Sequence, residues 1–468
     1  MKIFKSDSQF YKRVFLLALP IAGQSLISIG VNMLDTIMVT RIDEETGTLA
    51  LAATNLANSF ITIYHILCMG LGMGASVLVS RYWGMRSIPE KYEDACHSLK
   101  QTIALMLKLT LSLATLFALA TAFFPELIMK SYTDEAQLIA FGTTYFKWSV
   151  ITYFFLGLSL TTTIVLRSVG SVLPPLLISI GSLFVNLCAN YVLIYGKFGA
   201  PRMEIAGAAL GTLIARVFEA TMIMGYLFII DKKILFKVRD LFVNTKSILK
   251  EYFKICIPVL ISDGILAIGS NTVNIVIGHL GADFVAANSV TGVTQQLSTA
   301  VIQGVSQAGA IVTGQTLGTG DRKKTQEQGY LFFGLGIALG LFSALFITLT
   351  KTPIIAFYKN LTPGAVRIAN QLMWAISLII VFQGTNSIMT KGVLRGGGDT
   401  LMLMLTDNIF LWVISIPLGL LAGFVLHLPA FWIFVALKSD QIVKTFWALL
   451  RLRSGKWIKK ISAAKKEA

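Results

Sequence analysis

GVNMLDTIMV, residues 30–39, closes an apolar run that begins near Val14 and carries a single acid, Asp35. A carboxylate in hydrocarbon costs roughly 2.5–3.5 kcal/mol on insertion scales, so it requires a partner or a task. The run around it decides the fold class. An α-helix needs about 20 apolar residues to cross a bilayer, and stretches of this kind recur along the whole chain. Twelve are read, at 14–39, 54–79, 99–124, 145–168, 173–196, 205–230, 255–279, 287–314, 330–352, 370–394, 401–426 and 430–451. A transmembrane β-barrel would instead show alternating segments of about ten residues, and the sequence has none. The expected architecture is all-α and integral to the membrane, with twelve transmembrane helices.

Composition points the same way. The chain is 55% hydrophobic and 14% charged over 468 residues, against roughly 25% charged in a soluble domain. The formal charge of +16 is a statement about topology because of where it sits. Basic residues gather at Lys12 and Arg13, at Arg81, Arg86 and Lys91, through the 231–254 connection, at Arg322, Lys323 and Lys324, and in the tail from Arg451 to Lys466. The alternate loops are acidic or sparsely charged, as at Asp43, Glu44 and Glu45 or Asp134 and Glu135; the loop with Lys351, Lys359 and Arg367 dissents. The positive-inside rule then puts both termini in the cytoplasm of a multi-pass cell-membrane protein. The lipid bilayer, not nucleic acid, is the expected partner. The first apolar run is too long for a signal-peptide core and no small-residue cleavage site follows, so it is expected to stay as the first span. Cys68, Cys96, Cys188 and Cys256 form no metal or redox spacing, and no cofactor is expected.

The chain also repeats itself, as many transporters do around a substrate site. GVNMLDTIMV aligns with GSNTVNIVIG at 269–278, placing Asp35 on Asn274 and Asn32 on Asn271. LAATNL at 51–56 aligns with VAANSV at 285–290, and GLGMGASVLVSRYWG at 70–84 with GVSQAGAIVTGQTLG at 304–318. LRSVGSVL at 166–173 aligns with LRGGGDTL at 394–401. Two pseudo-symmetric lobes of six helices follow: residues 1–240, ending in the basic linker, and 241–468, ending in the basic tail.

Polar residues fall in stripes on the greasy helices. At 3.6 residues per turn, Gln24, Ser28, Asn32 and Asp35 share one face of the first span. Asp35 lies six residues before Arg41, hence roughly 9 Å from the outer end. Ser179, Ser182, Asn186 and Asn190 share a face of the fifth, and their amide oxygens can hold Na⁺ or accept a hydrogen bond from a protonated acid. Asn186 and Asn190 are therefore the expected partners of Asp35, in a proton or Na⁺ site; interhelical hydrogen bonding alone is the other reading of these stripes. In the second half, Asp263, Asn271 and Asn274 line the seventh span, Gln296 and Gln303 the eighth, and Asp407 sits in the eleventh. Lipid-facing positions could not hydrate so many amides, and a wet central cavity between the lobes is expected. Arg216 with Glu219 and Asp440 with Lys444 are spaced as structural helical pairs.

Twelve spans in two halves, LDT in the first helix, LRSVGS followed by a proline pair and NLCANYVLIYG, IAGAALGT at 205–212, LRGGGDT at 394–400 and RSGKW at 453–457 together resemble the multidrug and toxic compound extrusion family. The resemblance runs from about residue 14 to the tail. It implies a cation-coupled antiporter, with two lobes around a central cavity, that exports amphipathic and often cationic small molecules; a monomer is expected. It also implies that Asp35 is the first-helix coupling acid and Asn186 the fifth-helix asparagine, with Tyr145 and Thr212 near the same pocket. Asn190 stands where several relatives carry an aspartate, which removes a titratable group. Eight residues after Pro258, where some relatives have a glutamate, this chain has Leu266. A related lipid or oligosaccharide flippase is the rival reading, but those proteins usually add two spans and a basic cavity. A membrane-embedded enzyme is disfavoured because the four histidines are scattered and no nucleophile motif accompanies them.

Overall fold

The structure is a computed structural model that describes residues 8–40, 44–358 and 361–459. The sequence readings at Arg41, Asp43, Lys359 and most of the basic tail lie outside these residues, as do the side chains of Asn32, Glu44 and Glu45. Among the described residues there is no strand. In chain order the helices are α1 (Ser8–Thr40), α2 (Glu44–Met85), α3 (Tyr92–Phe123), the short α4 (Pro125–Lys130), α5 (Ala136–Ser149), α6 (Thr152–Ser168), α7 (Leu173–Tyr195) and α8 (Glu204–Gly225). There follow α9 (Lys246–His279), α10 (Ala282–Gly318), α11 (Arg322–Phe357), α12 (Pro363–Ser387), α13 (Thr400–Ile409), α14 (Ile416–Leu420), α15 (Ala430–Leu437) and α16 (Ser439–Arg453). Helix is the form these apolar segments must take, because a backbone in lipid has to satisfy its polar groups within its own segment. The chain is a multi-pass membrane protein.

Among the described residues, nine helical stretches are long and apolar enough to cross a bilayer, and α5 with α6, bent by 61° at their junction, make a tenth if counted as one span. Length and composition therefore do not reproduce the twelve expected. The two segments outside this set are informative. Residues 287–314 lie in α10, an unbroken helix of 37 residues whose run of amides and hydroxyls lowers its hydropathy. Residues 430–451 are split at Lys438 into α15 and α16, neither of them 18 residues long.

The residues cluster into two compact units. The first comprises the described residues of Met1–Gly23, Ser80–Tyr92 and Ile257–Ser462; the second comprises Gln24–Val79 and Glu93–Cys256. In the first unit the ends of α2 and α10 cross at glycines. A Cβ on Gly84 would lie 2.0 Å from the Gln315 carbonyl oxygen, so only glycine allows this approach. Arg81, buried beside that crossing, donates from its guanidinium to the carbonyls of Lys459 (2.6 Å) and Gly397 (3.1 Å). In the second unit, the polar connection after α8 is docked on α3: Gln101 Nε2 donates to the Asn244 carbonyl at 2.6 Å, and Lys100 pairs with Asp240 at 2.9 Å. The core of this unit includes an aromatic group in which Tyr64 stacks edge-on against Tyr153 and donates its hydroxyl to the Tyr153 carbonyl.

Candidate functional site

The polar faces of α1 and α7 meet in a single register. Gln24 Nε2 donates to Ser179 Oγ at 3.1 Å, and Asn190 Nδ2 donates to Asp35 Oδ1 at 2.6 Å; each pair is 155 residues apart in sequence. Equal offsets require the two helices to run parallel and keep step over about three turns. Arg167 on α6 also donates to Gln24 Oε1 through Nε, at 2.9 Å. Both helices are apolar elsewhere, so pairing the stripes removes the cost of leaving an amide or acid unsatisfied in a dry setting.

Around Asp35 the setting is built of amides. Asn190 Nδ2 spans Asp35 Oδ1 and, at 3.4 Å, Asn186 Oδ1. Asn190 Oδ1 is buried and accepts no hydrogen bond. Room for it comes from α8, where a Cβ added to Gly211 would sit 2.1 Å from that oxygen. No lysine, arginine or histidine among the described residues forms an ion pair with Asp35; the nearby Arg216 is held by Glu219 at 2.7 Å, as their spacing predicts. The buried Tyr145 donates its hydroxyl to Asn58 Oδ1 at 3.3 Å. Thr212, half-buried beside Gly211 on α8, makes no side-chain hydrogen bond among the described residues. The resulting group is rich in oxygen: a carboxylate, the Asn186 amide oxygen and the unpaired Asn190 amide oxygen. Such a set can ligate a small hard cation, or accept the proton of a neutral carboxyl.

The residues expected to line a cavity in the second half have different settings. Asp263 is paired with Arg395, whose two terminal nitrogens lie 3.0 and 3.4 Å from its oxygens. Asp407 faces Lys444 at 3.4 Å, and Lys444 also binds Asp440 at 2.9 Å, so the expected i,i+4 pair is part of a three-charge cluster. Ser415 Oγ and Gln441 Nε2 donate to Asp440 at 3.0 and 2.6 Å. Asn271, Asn274, Gln296 and Gln303 are exposed in their unit, and none of them makes a side-chain hydrogen bond among the described residues. Sequence reasoning missed Arg395 as the partner of Asp263, although LRGGGDT, which contains it, had been singled out as a repeat. It also missed Gly211, whose role depends on which side chain packs against it. Among the described residues, no group of three or more His, Cys, Asp or Glu is placed to hold a metal ion.

The sequence model of the MatE family matches residues 20–192 and 258–421, most of the chain and both halves of the repeat. The chain belongs to the MatE family. A probable multidrug resistance protein NorM of Thermotoga maritima is 25% identical to this MatE chain over 96% of its length and 93% of the relative's. An uncharacterized transporter, YisQ, of Bacillus subtilis is 24% identical over 96% and 95%. The fold is that of a solved structure described as the outward-facing conformation of a multidrug resistance MATE family transporter, with a TM-score of 0.84 at 18% identity over 95% of this chain and 96% of that one. The MatE match spans both α1 with Asp35 and α7 with Asn186 and Asn190.

Proposed function

We propose that this MatE chain is a secondary active antiporter that exports amphipathic, cationic small molecules in exchange for H⁺ or Na⁺, with Asp35 as the coupling carboxylate. One observation carries the reading: Asp35 is held by amide groups and by no cation of the protein. No protein cation among the described residues forms an ion pair with it, which leaves its charge for a mobile cation to cancel. A cationic substrate, a proton or Na⁺ can each do so, and only one at a time. Their competition is what makes exchange obligatory, because binding of the ion displaces the substrate. If Na⁺ is the ion, the oxygens of Asn186 and Asn190 complete its shell; if H⁺, the neutral carboxyl donates to one of them. Tyr145 and Thr212 line the same pocket in this reading. In a one-for-one exchange of monovalent cations the membrane-potential contribution, about 2.3 kcal/mol per charge at 100 mV, cancels, so the concentration gradient of the ion drives the export step. The relation to a probable multidrug resistance protein supports the substrate class, and the relation to a second transporter supports the activity. The repeat supports lobes of residues 1–240 and 241–468 with a cavity between them, and the placement of basic residues supports both termini in the cytoplasm of a cell membrane; we read the protein as a monomer.

The test is efflux of a fluorescent cation from proteoliposomes under a Na⁺ gradient and a pH gradient imposed separately. Wild-type protein is expected to respond to one of them, and Asp35→Asn to neither. Undiminished gradient-driven efflux by Asp35→Asn would remove Asp35 as the coupling group. Lipid scrambling without dye movement by the wild type would transfer the function to a flippase.

A further inference from the structure

We propose that a cavity in the first unit, walled by the ends of four helices, binds a phosphate group. It has a volume of about 340 Å³ and takes its walls from the start of α1 (Arg13), the end of α2 (Trp83), the end of α10 (Gln315, Thr316) and the start of α11 (Lys324, Gln328). The glycine crossing of α2 over α10 brings these ends together.

Two features of the lining argue for an anionic ligand. Among the described residues, the lining includes Arg13 and Lys324 and no carboxylate, and neither cation has an ion-pair partner. Asp321, the cap of α11, accepts from the Lys324 backbone N–H at 2.8 Å, and Glu327, the acid within the first turns of α11, is not among the lining residues. Arg13 is not adrift either: its guanidinium is oriented by a hydrogen bond to Gln315 Oε1. The second feature is Gln328. It is 93% buried by its 7% exposure, it lines the cavity, and its side-chain oxygen has no hydrogen-bond partner. A buried amide left unsatisfied costs free energy unless a ligand engages it, and a primary amide can turn its N–H₂ group toward an anion. Thr316 adds a hydroxyl to the same wall. A planar guanidinium, an ammonium and neutral donors around one space make the donor set that phosphate oxygens take.

The chemistry is shared by two sources: the headgroup of an anionic phospholipid and free phosphate. All four helix ends lie on the side where the basic loops gather, which the positive-inside rule assigns to the cytoplasm, where anionic lipid is concentrated.

The test is a melting experiment on the full-length protein, in vesicles of phosphatidylcholine with and without phosphatidylglycerol, and in detergent with and without inorganic phosphate. Wild-type protein is expected to melt higher with phosphatidylglycerol or with phosphate; a response to phosphatidylglycerol alone assigns the site to lipid, and a response to both assigns it to the phosphate group itself. Arg13→Gln and Lys324→Gln are each expected to weaken the response by about tenfold in the concentration required. Gln328→Leu, which keeps every charge and adds no bulk, separates a built site from general surface attraction and is expected to weaken it as well. If neither probe raises the wild-type melting temperature, or if all three variants respond as the wild type does, the proposal is overturned.

Discussion

Two groups of intramembrane carboxylates in this protein have been given opposite settings. Asp35, in the second unit, meets amides only. Asp263, Asp407 and Asp440, in the first unit, are each matched by a protein cation, Arg395 or Lys444. A matched carboxylate has its charge settled when the chain folds, and the pair then acts as a structural fastening. An unmatched one leaves the neutralising charge to be supplied from outside. The same residue type thus divides into mortar and machinery according to whether the fold provides its counter-ion.

The largest effect that could break this comparison is expected at Lys444. Lys444→Met removes the cation shared by Asp407 and Asp440 and leaves two nearly buried carboxylates facing each other. Removing one partner of a buried pair costs about 3–5 kcal/mol, so thermal unfolding in detergent is expected to drop steeply. Asp35→Asn, by contrast, keeps a hydrogen-bonding group opposite Asn190 and deletes an uncompensated charge, and its stability is expected to stay within about 1 kcal/mol of wild type while transport is lost. A Lys444→Met protein as stable as wild type would erase the distinction between the two settings.

A middle-sized effect is expected at Gly211. Gly211→Ala places a methyl group 2.1 Å from Asn190 Oδ1, and either α8 or the Asn190 side chain must move. Overpacking of this kind costs roughly 1–3 kcal/mol. If Asn190 is the part that yields, its bond to Asp35 is lost and the ion dependence of efflux shifts to higher ion concentration. Measuring that dependence beside the melting temperature sharpens the comparison, since Gly211 touches no charge. An unaltered ion dependence in a destabilised protein would show that Asn190 is packing and not part of the Asp35 site.

What the sequence disclosed and what it withheld follow from the reach of each interaction. The helices were legible because crossing a bilayer imposes a length and an apolarity that are written locally. The facing of α1 and α7 was legible as well, because polar stripes in apolar helices have few places to go and both Gln24–Ser179 and Asp35–Asn190 keep one offset. The counter-ions of the first unit were not. Arg395 lies 132 residues from Asp263, and no periodicity connects them. Lys444 was read with Asp440 because they are one turn apart, and its second carboxylate, Asp407, comes from another helix. Pairings fixed by tertiary packing leave no local signature, whereas those fixed by helical geometry do. The polar content of α10 shows the limit of hydropathy, since a long helix with most of its residues buried inside the protein need not look greasy.

The smallest effect tests whether a matched carboxylate outside the membrane behaves as those inside are argued to. Asp240, in the connection after α8, accepts from Lys100 at 2.9 Å and from the Lys237 backbone N–H at 2.8 Å. Burial alone raises its pKa, but these hydrogen bonds and the charges of Lys100 and Arg239 outweigh it, and the net position lies below the usual carboxylate value. A carboxylate whose folded pKa is depressed contributes stability that is present above the unfolded value of about 3.9 and is lost as pH falls through the folded value. Asp240→Asn is therefore expected to lower stability by about 1 kcal/mol near neutral pH, the size of a partly exposed pair. The gap between wild type and variant should hold from neutral pH down to about pH 5 and close on further acidification. A gap that is constant through the acid range would mean that the side chain stabilises the connection by shape and hydrogen bonding alone, without its charge.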